Sequence, residues 1–319
     1  MLYFFNRQPR EMDCMEALLT RRNRINLVFS AAVSFLAVLS LFMIFLLLFR
    51  PASIEIRLVS AAGALAPATA LFLFLRRRFR RRRRILSDPF PEAWKKILHR
   101  HVSFYRNLAE DERGYFEKRV RIFLAEKKIT GVEVKIGDLE RLLVASAALI
   151  PVFRIADWEY DSLDEVLLYP RGFDDEYDFS SGRGDVLGMV ADHTSAVILS
   201  ARELRGDFRT GKWHNTAIHE FLHRIDEEDG VMDGVPSLLL DREHAAMWKA
   251  MRQRETRRME SGESPLDPYA LTDEAEFFAV AGETFFSDPG LLEKGSPALY
   301  DIMRLIFRQD PAASRKRKR

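Results

Sequence analysis

Two stretches near the start of the chain lack any polar rhythm. Leu27 to Phe49 is 23 residues without a charge, rich in Leu, Phe, Val and Ala, and as a helix it is long enough to cross the roughly 30 Å hydrocarbon core of a bilayer. It reads as a transmembrane helix. A cleaved signal peptide would have a shorter apolar region ending in small residues, not in Phe49-Arg50-Pro51. Leu58 to Leu75 is a second uncharged run, of 18 residues, containing Gly63 and Pro67. It fits a second span, and its marginal length also fits a re-entrant or interfacial helix.

Beyond Ser87 the pattern becomes that of a folded domain. Trp94, Ile97, Leu98 and Val102 recur at helical spacing, as do Tyr115, Phe116, Val120, Phe123 and Leu124, so two amphipathic helices open it. Asp138 to Ile150 predicts a buried helix stopped by Pro151. Val166-Leu167-Leu168-Tyr169 and Ala196-Val197-Ile198-Leu199 read as strands. Arg242 to Glu260 predicts a charged, exposed helix with Ala246, Trp248 and Met251 as its contacts, and Asp273 to Phe286 an apolar-backed one. The expected layout is a membrane anchor over 1–86, a folded domain over 87–311 and a basic, disordered tail over 312–319.

Charge sets the orientation of the anchor. Five arginines (Arg7, Arg10, Arg21, Arg22, Arg24) precede the first apolar run and eight (Arg76 to Arg78, Arg80 to Arg84) follow the second, whereas the loop between holds only Arg50 and Arg57. By the positive-inside rule both ends face the cytoplasm, which predicts a helical hairpin in a bacterial inner membrane with the domain on its inner side. The arginine run could neutralise nucleic-acid phosphates, but its place at the end of an apolar segment favours anionic lipid headgroups. Membrane lipid is therefore an expected partner and nucleic acid is not.

Composition adds two exclusions. With 319 residues, 47% hydrophobic and 30% charged, the chain can bury a full core. Its single cysteine, Cys14, rules out an intrachain disulfide and a cysteine cage for zinc. The net charge of +2 conceals a basic start and end and an acidic stretch from Asp157 to Asp178.

The candidate chemistry is His219-Glu220-Phe221-Leu222-His223. Residues four apart on a helix lie on one face about 6 Å along the axis, so both imidazoles can reach one metal ion with Glu220 beside them. Ile218, Phe221, Leu222 and Ile225 would bury this helix, and a buried His-Glu cluster is costly unless something satisfies it. Such a pattern suits Zn2+, with the carboxylate polarising a water for attack on a carbonyl. Zinc peptidases of this type carry an edge strand over the metal, to which an extended substrate pairs; Ala196 to Ser200 is the candidate.

A catalytic zinc needs a third protein ligand. Asp229, six residues past His223, lacks the preceding glycine turn that such a ligand requires. Glu274, Glu276 and Glu283 all lie on the later helix. Glu276 and Glu283 share a face but stand about 10 Å apart along the axis, so at most one can bind the ion. Asp226, one turn beyond His223, is placed either to orient an imidazole or to contact Arg224. The other histidines receive no role.

Three separated blocks agree in order with one known family. They are Asn215 to Asp226, Asp233-Gly234-Val235-Pro236, and Tyr269 to Val280 with Phe285-Phe286 beyond. From about Pro91 to Pro311, Val166 to Pro170 included, the chain resembles the Mlc titration factor A family of zinc peptidases, which has a gluzincin-like site also seen in the catalytic domain of anthrax lethal factor. The resemblance does not cover the hairpin. It implies an α+β, mainly helical, zincin-like domain with a small sheet, here preceded by the transmembrane hairpin. It implies His219, His223 and Glu276 as metal ligands, Glu220 as general base and Tyr269 as hydrogen-bond donor to the oxyanion. It further implies peptide or protein substrates, with aminopeptidase-like cleavage, and a transcriptional repressor as partner; a domain that mainly sequesters such a regulator, with hydrolysis incidental, is the alternative to a working enzyme.

Overall fold

The periodic segments beyond Ser87 fold as helices close to where their apolar spacing places them. The computed structural model describes residues 69–74, 76–155, 158–171, 188–190, 195–210 and 214–316, with isolated helical positions between 31 and 43. They form two compact units, Met1–Pro89 and Phe90–Arg319. In the first, helix α1 (Arg77–Ser87) carries most of the arginine run. Most of the two apolar runs, 27–49 and 58–75, lies outside the described residues, and among the described residues no helix is long and apolar enough to cross a membrane.

The second unit is mostly helical with one small sheet, an α+β arrangement. Helices α2 (Glu92–His101), α3 (Ser103–Asn107) and α4 (Glu110–Glu126) bury Leu98, Tyr105, Phe116, Val120 and Phe123. Helix α5 (Asp138–Leu149) is buried on nearly every face, as its run of leucines and alanines requires. The sheet has strand order β1 (Lys128–Gly131), β2 (Glu165–Tyr169), β4 (Ala196–Ser200), β3 (Gly188–Val190). The first three are parallel, with Ile129 opposite Val166 and Val166 opposite Val197; β3 closes the edge antiparallel to β4, Met189 opposite Ile198.

This order corrects one expectation. Ala196–Ser200 is an interior strand, paired on both sides, and cannot receive an extended substrate; β3 is the edge strand beside it. Burial of Val197, Ile198, Leu199 and Ser200 in succession is the mark of a strand covered on both faces. Helix α6 (Ala201–Thr210) follows directly, and α7 (Thr216–Glu227), which holds the HExxH residues, packs against β3, β4, α5 and the later helix Glu274–Ser287.

Helix α7 begins at Asn215, whose side chain accepts from the Ile218 N–H at 3.0 Å. It buries Ala217, Ile218, Phe221, Leu222 and Ile225. Helix α9 (Glu274–Ser287) begins at Asp273, which accepts from the Glu276 N–H at 2.8 Å. The two helices meet where Gly282 faces Leu222: a Cβ on Gly282 would lie 2.7 Å from a Leu222 methyl, so glycine permits the close approach. Helix α8 (Arg242–Glu260) is less exposed than its charge suggests. Its Glu255 is buried and accepts from Arg258, Ser264 and Ser296. The chain ends in α10 (Pro289–Gly295), α11 (Pro297–Phe307) and α12 (Pro311–Lys316). Helix α12 occupies most of the tail expected to be disordered; Ala312 is buried and its N–H donates to the Tyr300 hydroxyl at 3.0 Å.

A turn at Gly234 braces the ends of α7 and α9. Asp226, in the last turn of α7, accepts from the Gly234 N–H at 2.7 Å, and the Gly234 carbonyl accepts from the Trp248 indole at 2.6 Å. Gly234 has φ +69°, and a Cβ there would lie 2.0 Å from the Glu274 carbonyl oxygen. Gly234→Ala is therefore expected to destabilise the domain by about 2 kcal/mol or more, through a disfavoured φ and a backbone clash. A thermal or denaturant midpoint unchanged from wild type would contradict this account of the turn.

Candidate metal centre

The turn and the helix crossing bring three side chains to one point. His219 and His223 project from α7 with Nε2 atoms 3.0 Å apart. Glu276, on the first turn of α9, places Oε2 3.1 Å from Nε2 of His219 and Oε1 3.4 Å from Nε2 of His223. The donor atoms of the three residues lie within 4.8 Å of one another, a group that could hold a metal ion. The spacing fits the chemistry. Tetrahedral bonds of about 2.0–2.1 Å to nitrogen and oxygen separate neighbouring ligand atoms by about 3.3 Å.

The surroundings differ from one residue to the next. His223 and Glu220 are buried, His219 and Glu276 are half-buried, and Tyr269 is exposed. Tyr269 sits in a short 3-10 turn (Pro268–Leu271) begun by Asp267, which accepts from the Tyr269 N–H at 2.9 Å. Its hydroxyl lies 3.4 Å from Glu276 Oε1, so an exposed phenol borders the three ligands.

Charge is tightly coupled here. Burial pulls the His219 ring down, but Glu276 and Glu283 outweigh it and hold its pKa up at about 10. Burial acts to raise Glu276 and Glu283, yet the bonded imidazoles bring both down to about 2. Glu220 shifts the other way, raised by its burial against the attraction of the two imidazoles.

The remaining sequence candidates are placed elsewhere. Glu274 pairs with Arg252, and Asp229 accepts from the Val231 N–H in the turn after α7. Asp226 contacts the Gly234 N–H, not an imidazole or Arg224; its second oxygen and His223 Nδ1 are both buried without a hydrogen-bond partner among the described residues. Glu283, weighed in the sequence as an alternative third ligand, and His214, given no role there, complete the cluster. Glu283 lies 3.2 Å from His219 Nδ1, on the far side of the ring from Glu276, and His214 Nδ1 approaches Glu283 at 3.5 Å. The signal for Glu283 was its helical register with Glu276; His214 gave none.

Two histidines four apart on one helix, with a glutamate from a second helix, make the ligand arrangement of HExxH metallopeptidases. The chain belongs to the glucose-regulated metallo-peptidase M90 family, whose model matches residues 76–308. It is 31% identical over 240 residues to Mlc titration factor A of Pectobacterium atrosepticum, which covers 70% of this chain and 89% of that one. Mlc titration factor A of Escherichia coli is 30% identical over 234 residues, 68% and 86% of the two chains. An uncharacterised protein of Synechocystis is 28% identical over 245 residues, 72% and 88%.

The raised His219 pKa has a measurable consequence. A ring that holds a proton up to about pH 10, against an ordinary 6.5, must release it to offer Nε2 to an ion, so metal uptake at pH 7.5 should liberate about one proton. Calorimetry in two buffers of different ionisation enthalpy measures this. The linked stability has a definite sign: the proton's contribution to the metal-free fold is complete below pH 6.5 and is lost as pH rises towards 10. Uptake without proton release would show that His219 is already neutral.

Proposed function

We propose that this chain is a membrane-anchored zinc metallopeptidase that cleaves peptide bonds on the cytoplasmic face of a bacterial inner membrane. The observation that carries the catalytic part is the convergence of His219, His223 and Glu276 between α7 and α9, with the Tyr269 hydroxyl 3.4 Å from Glu276 and Glu220 buried on the same helix as the two histidines. A zinc ion held by those three ligands would supply a Lewis acid and a water acidic enough to be deprotonated near neutral pH. Glu220, made a stronger base by its burial, takes the proton from the attacking water and passes it to the leaving nitrogen. Tyr269, exposed beside Glu276, donates its hydroxyl to the carbonyl oxygen as negative charge gathers there.

The anchor rests on the 23-residue uncharged run Leu27 to Phe49 and the arginines that flank the hairpin. A second reading is favoured by the name of the relatives, Mlc titration factor A: the domain binds a transcriptional repressor and holds it at the membrane.

Glu220→Gln separates the two readings. The enzyme reading expects kcat/KM on peptide substrates to fall by about a hundredfold or more while bound zinc is retained. A cellular effect that survives this substitution would assign the function to binding instead. For the topology, a reporter fused after Arg84 should be active only as a cytoplasmic reporter; periplasmic activity would overturn it.

A further inference from the structure

Resting on the metal-site reading above, we propose that Glu283 is a positioning residue that fixes which nitrogen of His219 carries the proton. The His219 ring is gripped on both nitrogens by carboxylates of one helix. Glu276 Oε2 stands 3.1 Å from Nε2 and Glu283 Oε2 stands 3.2 Å from Nδ1. Glu283 is 6% exposed and two helical turns beyond Glu276. A carboxylate accepts hydrogen bonds only, so its presence at Nδ1 keeps the proton of the neutral ring there. Nε2 is then left with its lone pair aimed at the ion.

The other oxygen of Glu283 accepts from the backbone N–H of Asn215, the residue that begins α7. One side chain thus ties the start of the ligand-bearing helix and the tautomer of its first ligand to α9. His223 lacks an equivalent support, since its Nδ1 is buried without a hydrogen-bond partner among the described residues. His219 is accordingly the ligand whose orientation is set from outside the ion, and Glu283 is what sets it.

The substitution Glu283→Gln tests this role against a merely structural one. An amide has one acceptor and one donor end, whereas Glu283 faces the Asn215 N–H with one oxygen, with His214 Nδ1 3.5 Å from that same oxygen, and His219 Nδ1 with the other. If the amide oxygen serves Asn215, the amide nitrogen faces Nδ1 and drives the ring proton to Nε2, where the ion must bind. If the oxygen serves His219, two donors collide at Asn215.

Full-length wild-type and E283Q protein are compared by zinc competition against a chromophoric chelator, with circular dichroism to establish that the variant is folded. The expected result is a zinc affinity 10–100-fold weaker in folded E283Q. His214→Ala, which leaves the Glu283–His219 bond in place, should change affinity by less than about threefold on the same reasoning. An E283Q affinity within twofold of wild type would overturn the proposal while leaving the metal site intact. Wild-type protein that takes up no zinc would instead sink the metal-site reading, and this inference with it. Should E283Q fail to fold, the ring 15N shifts of His219 in zinc-loaded wild type decide: a protonated Nδ1 is expected, and a deprotonated one overturns the proposal.

Discussion

Everything at the centre depends on how three buried or half-buried carboxylates and two imidazoles satisfy one another between two helices otherwise lined with Phe and Leu. An uncompensated buried charge costs several kcal/mol, so each must find a partner or change its protonation. Glu276 and Glu283 share one partner, the His219 ring, and each has a second imidazole, His223 for Glu276 and His214 for Glu283, so both are held at about 2. Glu220 shares the helix with the imidazoles and feels them only across a distance, so burial wins and its affinity for a proton rises. Acids pushed in opposite directions thus arise in one cluster, two lowered by the imidazoles they bond and one raised by its burial. That division suits the first pair to holding a cation and its bonded ring, and the third to moving a proton.

The geometry behind this electrostatic arrangement comes from backbone contacts that carry no charge. Gly282 lets α9 close on Leu222 of α7, and Gly234 lets the turn after α7 touch the carbonyl of Glu274, two residues before Glu276. The first contact sets the separation of the helices and the second the height at which α9 begins. Asp273, accepting from the Glu276 N–H itself, then fixes the backbone from which Glu276 projects. An error of an ångström at any of these would separate the carboxylate from the imidazoles, because close-packed interiors have no slack to absorb it.

Much of this was legible in the residues. The two imidazoles follow from helical spacing, and the helices α5, α7, α8 and α9 follow from apolar periodicity. What was not legible depends on tertiary pairing. The three residues of β3 carry no period, and without β3 the interior strand β4 looks like an edge. Asp226 stands one turn from His223, yet its oxygen goes to Gly234, since a positive-φ turn folds back on the helix end and offers an N–H. The last helix, α12, is too short to announce itself and is held by the Tyr300 hydroxyl, a contact twelve residues away.

The choice between Glu276 and Glu283 shows where spacing arguments stop and chemistry begins. Seven residues on one helix put two carboxylates on one face about 10.5 Å apart, too far for both to reach a single ion. That separation does not make the second carboxylate a bystander. An imidazole has a nitrogen at each end, and with a hydrogen bond of about 3 Å on either side it spans the gap between two such carboxylates, as the 3.1 and 3.2 Å contacts to His219 do. The same helical repeat that excludes Glu283 from the ion therefore delivers it to the outer edge of the ligand. A pair of glutamates seven apart behind an HExxH helix is thus a physical signature for one ligand and its orienting acid, and it is open to test wherever the ring between them can be observed.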